Sequence, residues 1–269
     1  MQQGTNEWLE WRRKGIGASE ASAIMGKCPY STPYSVFMDK TGRVKAFEGN
    51  FATMRGSELE AKIRSRYELL TMETMEPACA VHPKYEILRA SLDGLRSDGK
   101  LILEIKCAGV ETIEMAKNGL VPDHYMIQVQ MQLLVTGADL CHFFVYNEKL
   151  GDHALVEVSP NLELQAEIVL KVLDFWHRHI VIDVPPPLTD RDLKIIDDNP
   201  LLEILAQKII MGTDLKKSDL DALKAEFVLK GEHPKVRCGR VQVSTVNRKG
   251  VFSYHKLTIH EEIENKQVS

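Results

Sequence analysis

Apolar positions along the chain recur with two periods, and these periods lay out its elements. Spacing of three and four predicts helices over Asn6–Lys14 (Asn6 as cap; Trp8, Leu9 and Trp11 inward) and over Ala18–Gly26, with Ser19 as its N-cap. A helix from Thr32 through Met38 carries Pro33 in its first turn and is closed by Gly42. The next, Phe51–Leu70, shows an apolar stripe of Leu59, Ile63, Tyr67 and Leu70. Ala108–Gly119, Pro122–Thr136 and Leu162–His179 follow, the last with Val169, Leu173 and Trp176 inward. Alternation or short bounded apolar runs predict strands over Tyr85–Leu92, Leu101–Lys106, Ala138–Tyr146 and Ala154–Val158. Pro185-Pro186-Pro187 cannot continue a helix and marks a boundary. Beyond it, Asp197-Asp198-Asn199-Pro200 opens a helix through Met211, Lys217–Leu229 is a second, and Val241–Thr245 and Val251–Leu257 alternate around Asn247-Arg248-Lys249-Gly250 as a hairpin. The pattern predicts a mixed α/β core over 1–184, a Pro-rich linker over 185–200, and an appendage of helices and a β-hairpin over 201–269.

Composition changes this picture little. The 269 residues suffice for one large domain or a domain plus an appendage. A net charge of −4 gives no overall basic character, although from Gly231 to Ile259 six Lys or Arg face one acid, Glu232. The five cysteines are scattered without a C-x-x-C pair, which speaks for reduced thiols in a cytoplasm and against zinc or an iron–sulfur cluster. The N-terminus is polar, and no apolar run reaches the ~20 residues that span a bilayer.

The chemistry concentrates in Ser91–Cys107. Asp93-Gly94 and Asp98-Gly99 read as turn signals between two strands. In the second strand Leu101, Leu103 and Ile105 share one face and Ile102, Glu104 and Lys106 the other. If the strands pair, Asp93 comes beside Glu104. Two carboxylates at close range repel, and a hard divalent cation removes that cost; two oxygen ligands, a phosphate and waters suit Mg²⁺ or Mn²⁺. Lys106 would then orient or deprotonate a water or hold a phosphoryl oxygen. The competing reading is a polar hairpin with a surface Glu–Lys pair.

Other residues stand out more weakly. Arg12, Arg13, the Ser19 hydroxyl and the free N–H groups of the helix behind it would make an anion site, or merely a capped helix with extended arginines. Glu60 flanks Ile63 and either faces a cleft or pairs with Arg64. Gln130 sits amid Met126, Ile127, Leu133 and Leu134, so its amide needs a buried partner: a structural bond, or a metal-bound water or phosphate. Gln128 lies at the polar edge of the same helix, with His124 and Gln132.

Six motifs in order now carry a family resemblance: Trp8-x-x-x-Arg12, Gly17-Ala18-Ser19-Glu20, Gly56-x-x-x-Glu60, Ser91-Leu92-Asp93-Gly94, Leu103-Glu104-Ile105-Lys106-Cys107 and Tyr125-x-x-Gln128-Val129-Gln130. The chain resembles the YqaJ-like viral recombinases and the lambda exonuclease family, restriction-endonuclease-like nucleases with an Asp…Glu-x-Lys core. The resemblance implies a central mixed sheet flanked by helices. It implies an exonuclease that digests one strand of linear double-stranded DNA from 5′ to 3′, leaving 3′ overhangs for phage-type recombination; an endonuclease of the superfamily and a non-catalytic DNA-end binder are the alternatives. It assigns two Mg²⁺ ions (Mn²⁺ substituting) to Asp93, Glu104 and the Ile105 main-chain carbonyl, with Glu60 at the second ion or its waters. Lys106 would position the water, Gln130 would stand at the active-site rim, and Arg12 and Ser19 would hold the 5′-phosphate. Arg13, Gln128 and Tyr125 would be further DNA contacts. The implied partners are DNA ends, a single-strand annealing protein and other copies of the chain in a trimeric ring, in the cytoplasm of a bacterial host to a phage or prophage. Asn247–Lys256 is similar to the tail of the YqaJ-like branch, whereas lambda-like proteins stop near the end of the core.

Overall fold

The computed structural model describes residues 1–43, 51–148, 150–196, 198–212, 216–248 and 251–260, with only the backbone at 51–58, 247–248 and 251–252. The chain divides into two compact units, Met1–Pro186 and Pro187–Ser269.

The first unit opens with α1 (Asn6–Arg13), a short strand β1 (Ile16–Gly17), α2 (Ala18–Ile24) and α3 (Pro33–Lys40). The long α4 (Phe51–Thr71) leads into β2 (Glu76–Val81), β3 (Leu88–Leu95) and β4 (Leu101–Cys107). Then come α5 (Val110–Lys117), α6 (Asp123–Thr136), β5 (Leu140–Asn147), β6 (Asp152–Val158) and α7 (Leu162–Phe175), which runs on into a π turn over Trp176–Val181. The strands form one mixed sheet in the order β1-β3-β4-β5-β6, with β2 also on β3. β4 and β5 run parallel, as do β1 and β3; the other pairs are antiparallel.

Leu101 to Ile105 are all buried, because β4 is covered on both faces. Ile102 joins the core formed with α2, α6 and α7, while Leu101, Leu103 and Ile105 pack on Ile63 and Tyr67 of α4. Burial on both faces turns a strand into a continuous apolar run.

Several local expectations change. Thr5, not Asn6, caps α1, its hydroxyl accepting from the Trp8 N–H at 3.3 Å. Ser19 lies inside α2, and Gly17 is the cap, with Glu20 turning back to accept from the Gly17 N–H at 2.7 Å. Leu70 leaves the α4 stripe and is 51% exposed. The buried stripe of α7 is Gln165, Ile168, Val172 and Phe175, with Val169 and Trp176 only flanking it and Leu173 half-buried. β2 carries no apolar alternation: Pro77, Ala78, Cys79 and Ala80 are small or ladder-breaking residues suited to an edge strand.

The second unit comprises β7 (Lys194–Ile195), α8 (Pro200–Met211), α9 (Lys217–Gly231), β8 (Lys235–Cys238), β9 (Val241–Arg248) and β10 (Val251–Ile259). Its sheet runs β10-β9-β8-β7. Leu202, Leu205 and Ile209 of α8 and Phe227 of α9 share a core with Val236, Cys238, Val241 and Val243. The stretch after the prolines is built into this unit rather than linking to it: the Asp192 carboxylate accepts from the Thr189 N–H and hydroxyl, each at 2.7 Å, and β7 pairs with β8. The expected hairpin between β9 and β10 is present; Lys249 and Gly250 of its turn lie outside the described residues.

Candidate active site

The site forms where β3 is irregular. β2 pairs Ala78 with Leu92 but Glu76 with Leu95, so β3 carries one extra residue between them. Asp93-Gly94 is therefore a bulge inside a strand, not a turn; the turn follows at Arg96–Lys100, with Gly99 at φ +72°. A bulge bends the strand and re-aims its side chains. Gly94 is needed for close packing, since a Cβ there would stand 2.7 Å from Met75 Cβ and 3.1 Å from Leu103 Cβ. β2 takes one edge of β3, and β1 and β4 share the other: Arg89 pairs with both Val81 and Gly17, and Leu95 with both Glu76 and Ile102.

The β3–β4 ladder begins only at Gly94↔Leu103, and side chains serve the edge between it and β1. Asp93 Oδ2 accepts from the Ile105 N–H at 2.7 Å, and Gln132 Nε2 donates to the Ser91 carbonyl at 3.3 Å. Trp8 Nε1 donates to the Ser91 hydroxyl at 2.9 Å, tying α1 to the same strand.

Glu104, 2% exposed, is the hub. Its Oε1 accepts from Gln128 Nε2 at 2.7 Å and meets Lys106 Nζ at 2.5 Å, while Oε2 accepts from Gln132 Nε2 at 2.5 Å. Lys106 also donates to Gln128 Oε1 at 3.3 Å, and its ammonium lies 4.8 Å from the centre of the Tyr125 ring. The Glu–Lys pair is thus enclosed by α6, unlike a surface hairpin pair.

The charges around this hub do not balance. Burial, then the charges of Glu104 and Glu60, push the Asp93 carboxyl well above the usual range. Burial raises Glu60 as well; Arg64 offsets this in part and Glu104 adds to it. Burial works against the Lys106 ammonium, yet Glu104 and Asp93 hold its pKa above the ordinary lysine value. Glu60 keeps its helix partner, Arg64, at 3.8 Å, and Arg64 also donates to the Asp93 carbonyl at 2.9 Å. Among the described residues no three His, Cys, Asp or Glu side chains form a ready metal cage. The chemistry of the donors nevertheless fits a hard divalent ion: Asp93 and Glu104 offer only oxygen, and both carboxylates are buried side by side with Lys106 as the cation between them and α6.

Beside the hub lies a hollow lined by Trp11, Arg12, Gly17, Ala18, Ser19, Ser91 and Gln128. It brings Arg12 and Ser19 next to Gln128. The Arg12 guanidinium is fixed by Glu20 at 2.8 Å and by the Trp8 ring, 4.8 Å away. Lys40, its side chain fully buried, reaches Glu20 at 2.7 Å and the Arg12 carbonyl at 2.8 Å. Burial pushes the Glu20 carboxyl up, but Lys40 and Arg12 more than reverse this and hold it below the ordinary value.

Gln130 is placed elsewhere. Its Nε2 donates to the Ser159 carbonyl at 2.9 Å, and its Oε1 accepts from the Asn161 N–H at 2.7 Å and Gln165 Nε2 at 3.2 Å, which ties α6 to the start of α7. Of its two readings, the structural bond is the one formed. Arg13 is exposed on α1. Two residues at the centre went unrecognised in the sequence, Gln132 and Lys40. Gln132 shares a helix face with Gln128 four residues earlier, a signal that was there to read; nothing in the pattern marks Lys40 as buried.

Residues 7–139 match the model of the YqaJ-like viral recombinase domain. The chain is similar to the uncharacterized protein YqaJ of Bacillus subtilis (strain 168), 31% identical over 190 residues, covering 68% of this chain and 59% of that protein. It is also similar to the uncharacterized protein R354 of Acanthamoeba polyphaga mimivirus, 30% identical over 157 residues, covering 53% of this chain and 29% of that one. The chain thus spans less than two thirds of the length of these curated relatives. Among solved structures, the alkaline exonuclease LHK-Exo from Laribacter hongkongensis is 29% identical, with a TM-score of 0.55, covering 64% of this chain and 91% of that one. LHK-Exo in complex with dAMP matches at 28% identity with the same TM-score of 0.55. Residues 7–139 thus match the YqaJ-like viral recombinase domain, and the chain is a homologue of YqaJ on a restriction-endonuclease-like fold.

Proposed function

We propose that the protein is a metal-dependent deoxyribonuclease that hydrolyses one strand of linear duplex DNA from its 5′ end and leaves a 3′ overhang for recombination. The observation that carries this reading is Glu104, buried beside the Asp93 bulge with Lys106, Gln128 and Gln132 all converging on its two oxygens. Likeness to an alkaline exonuclease supports the reaction class. Polarity, the 5′-phosphate preference, an annealing protein as partner and assembly with further copies of the chain follow from the family resemblance.

Asp93 and Glu104, with the Ile105 carbonyl, would hold Mg²⁺, which when bound supplies a more acidic water and charge neutralisation at the phosphate. The chain's own residues do the rest. Lys106 offers a cation to the attacking water or a phosphate oxygen, and Gln128 holds Lys106 and Glu104 in register. Tyr125 shields the ammonium on one side. Arg12, pre-aimed by Glu20, would bind the terminal phosphate one hollow away from the hub. The test is digestion of duplex DNA labelled at the 5′ or the 3′ end, beside nicked and closed circles. Metal-dependent loss of the 5′ label first, with closed circles intact, is expected. Cleavage of closed circles would replace the exonuclease reading with an endonuclease; no cleavage with Mg²⁺ or Mn²⁺ would overturn the nuclease reading.

A further inference from the structure

The second unit carries a sheet whose strands contain no Asp or Glu, in a chain with 38 such residues and a net charge of −4. Three of its cations fall on one face, while Lys194 of β7, paired with Val236, lies on the helix side. Val236, Cys238, Val241 and Val243, with Leu257, pack against α8 and α9, so strand alternation turns Lys235, Arg237, Gln242, Ser244, Lys256 and Thr258 to the opposite face. Two checks support this division. His255 meets Thr245 at 3.2 Å and stands two residues from Leu257, which packs on the core, so it lies on the helix side and its neighbour Lys256 on the other. The register also sets Lys235, Ser244 and Lys256 in one row across three strands, with Arg237, Gln242 and Thr258 in a neighbouring row. Two residues along a strand span about 6.6–6.8 Å and two strands about 10 Å, so three cations stand in a triangle roughly 10 Å across. None of the three forms an ion pair among the described residues. Tyr254, two residues before Lys256 and 38% exposed, falls on the same face.

We infer that this sheet face binds the phosphate backbone of DNA, with Lys235, Arg237 and Lys256 as the phosphate contacts and Tyr254 as a platform for an unstacked base. Three clustered cations with hydroxyl and amide donors between them match a polyanion, and an aromatic ring among cations matches a single strand. The inference deepens the proposed nuclease reading by adding a holding surface outside the hub.

The experiment uses the full chain with chelator present, so that nothing is cut, and reads fluorescence anisotropy of labelled single-stranded and blunt duplex DNA from low to high salt. Each lost phosphate contact flattens the slope of log affinity against log salt by about 0.9 for duplex and about 0.7 for single strands. The triple variant Lys235→Ala, Arg237→Ala, Lys256→Ala should therefore flatten it by about 2–3, and each single variant by about one. With Mg²⁺ the triple variant should raise KM several-fold at unchanged kcat. Lys235→Arg with Lys256→Arg should retain wild-type binding. Should the triple variant fail to fold, the single variants decide. Unchanged slope and affinity in folded variants overturn the inference, as does competition by poly-glutamate equal to that by DNA. Wild-type cleavage with unaffected variants sinks this surface and leaves the nuclease reading standing. Charge-dependent binding without any cleavage does the reverse.

Discussion

Replacing Gln132 with Leu tests whether α6 holds Glu104 in its working position. Gln132 is fully buried, and its Nε2 makes the 2.5 Å bond to Glu104 Oε2 and the 3.3 Å bond to the Ser91 carbonyl, while its Oε1 finds no partner among the described residues. A hydrogen bond to a charged group contributes about 1.5–3 kcal/mol, and the long bond to Ser91 adds less. Losing the unpartnered Oε1 offsets part of this, so the net cost is about 1–3 kcal/mol. A domain of this size loses roughly 2–4 °C in Tm per kcal/mol, so calorimetry should show a fall of between about 2 and 12 °C. The same change frees one carboxylate oxygen of a proposed metal ligand. Outer partners of ligands typically matter by about 10–100-fold in affinity or rate. Mn²⁺ binding, followed by electron paramagnetic resonance, and single-turnover cleavage at saturating DNA should both weaken by that factor, with DNA affinity in chelator unchanged. A fall in Tm with Mn²⁺ affinity and cleavage within twofold of wild type would refute the reasoning and leave Gln132 as packing alone.

Four further outcomes follow from the geometry. Gly94→Ala forces a Cβ against Met75 and Leu103 and should destabilise by about 1–3 kcal/mol in denaturant titrations; an unchanged midpoint would mean that the bulge relaxes freely. Lys40→Met removes one buried partner of Glu20, which keeps Arg12 and the Gly17 N–H, and should cost about 1–3 kcal/mol in the same titrations. Because the Glu20 carboxyl is held below its ordinary value of 4.5, its contribution is present above that pH and lost as pH falls through the lower folded value, so Glu20→Gln should flatten the acid limb of the Tm–pH curve. Asp93→Asn removes a carboxylate whose folded pKa is raised, and whose stabilising contribution is therefore lost as pH rises through that value; in chelator at neutral pH the variant should melt above wild type while being inactive with Mg²⁺. Melting below wild type would show that the Asp93 charge is compensated in the metal-free protein.

The sequence made some parts of this molecule plain and hid others for physical reasons. The helix from Phe51 and the strand from Leu101 announced themselves because length and apolar runs are set by burial. Asp93, Glu104 and Lys106 could be grouped because strand alternation fixes faces. The role of Asp93-Gly94 was hidden, since an Asp-Gly pair has the same letters in a turn and in a bulge, and only the pairing of β2 separates them. β2 itself is an edge strand of small residues with no periodic signal. On α6, the apolar surroundings drew attention to Gln130, whose amide serves the α7 junction, and away from Gln132, whose amide serves Glu104. A buried polar side chain is conspicuous in sequence; which buried group it meets is decided by helix rotation, and the pattern fixes that only to within a residue.

The most direct test of the central claim is cleavage of a 5′-phosphorylated, end-labelled linear duplex by wild type and by Glu104→Gln, with Mg²⁺ or with chelator. Wild type should cleave only with metal, the variant should lose cleavage by several orders of magnitude, and both should bind DNA with similar affinity in chelator. Cleavage by Glu104→Gln at the wild-type rate would contradict it, because the residue on which Lys106, Gln128 and Gln132 converge would then have no part in the chemistry.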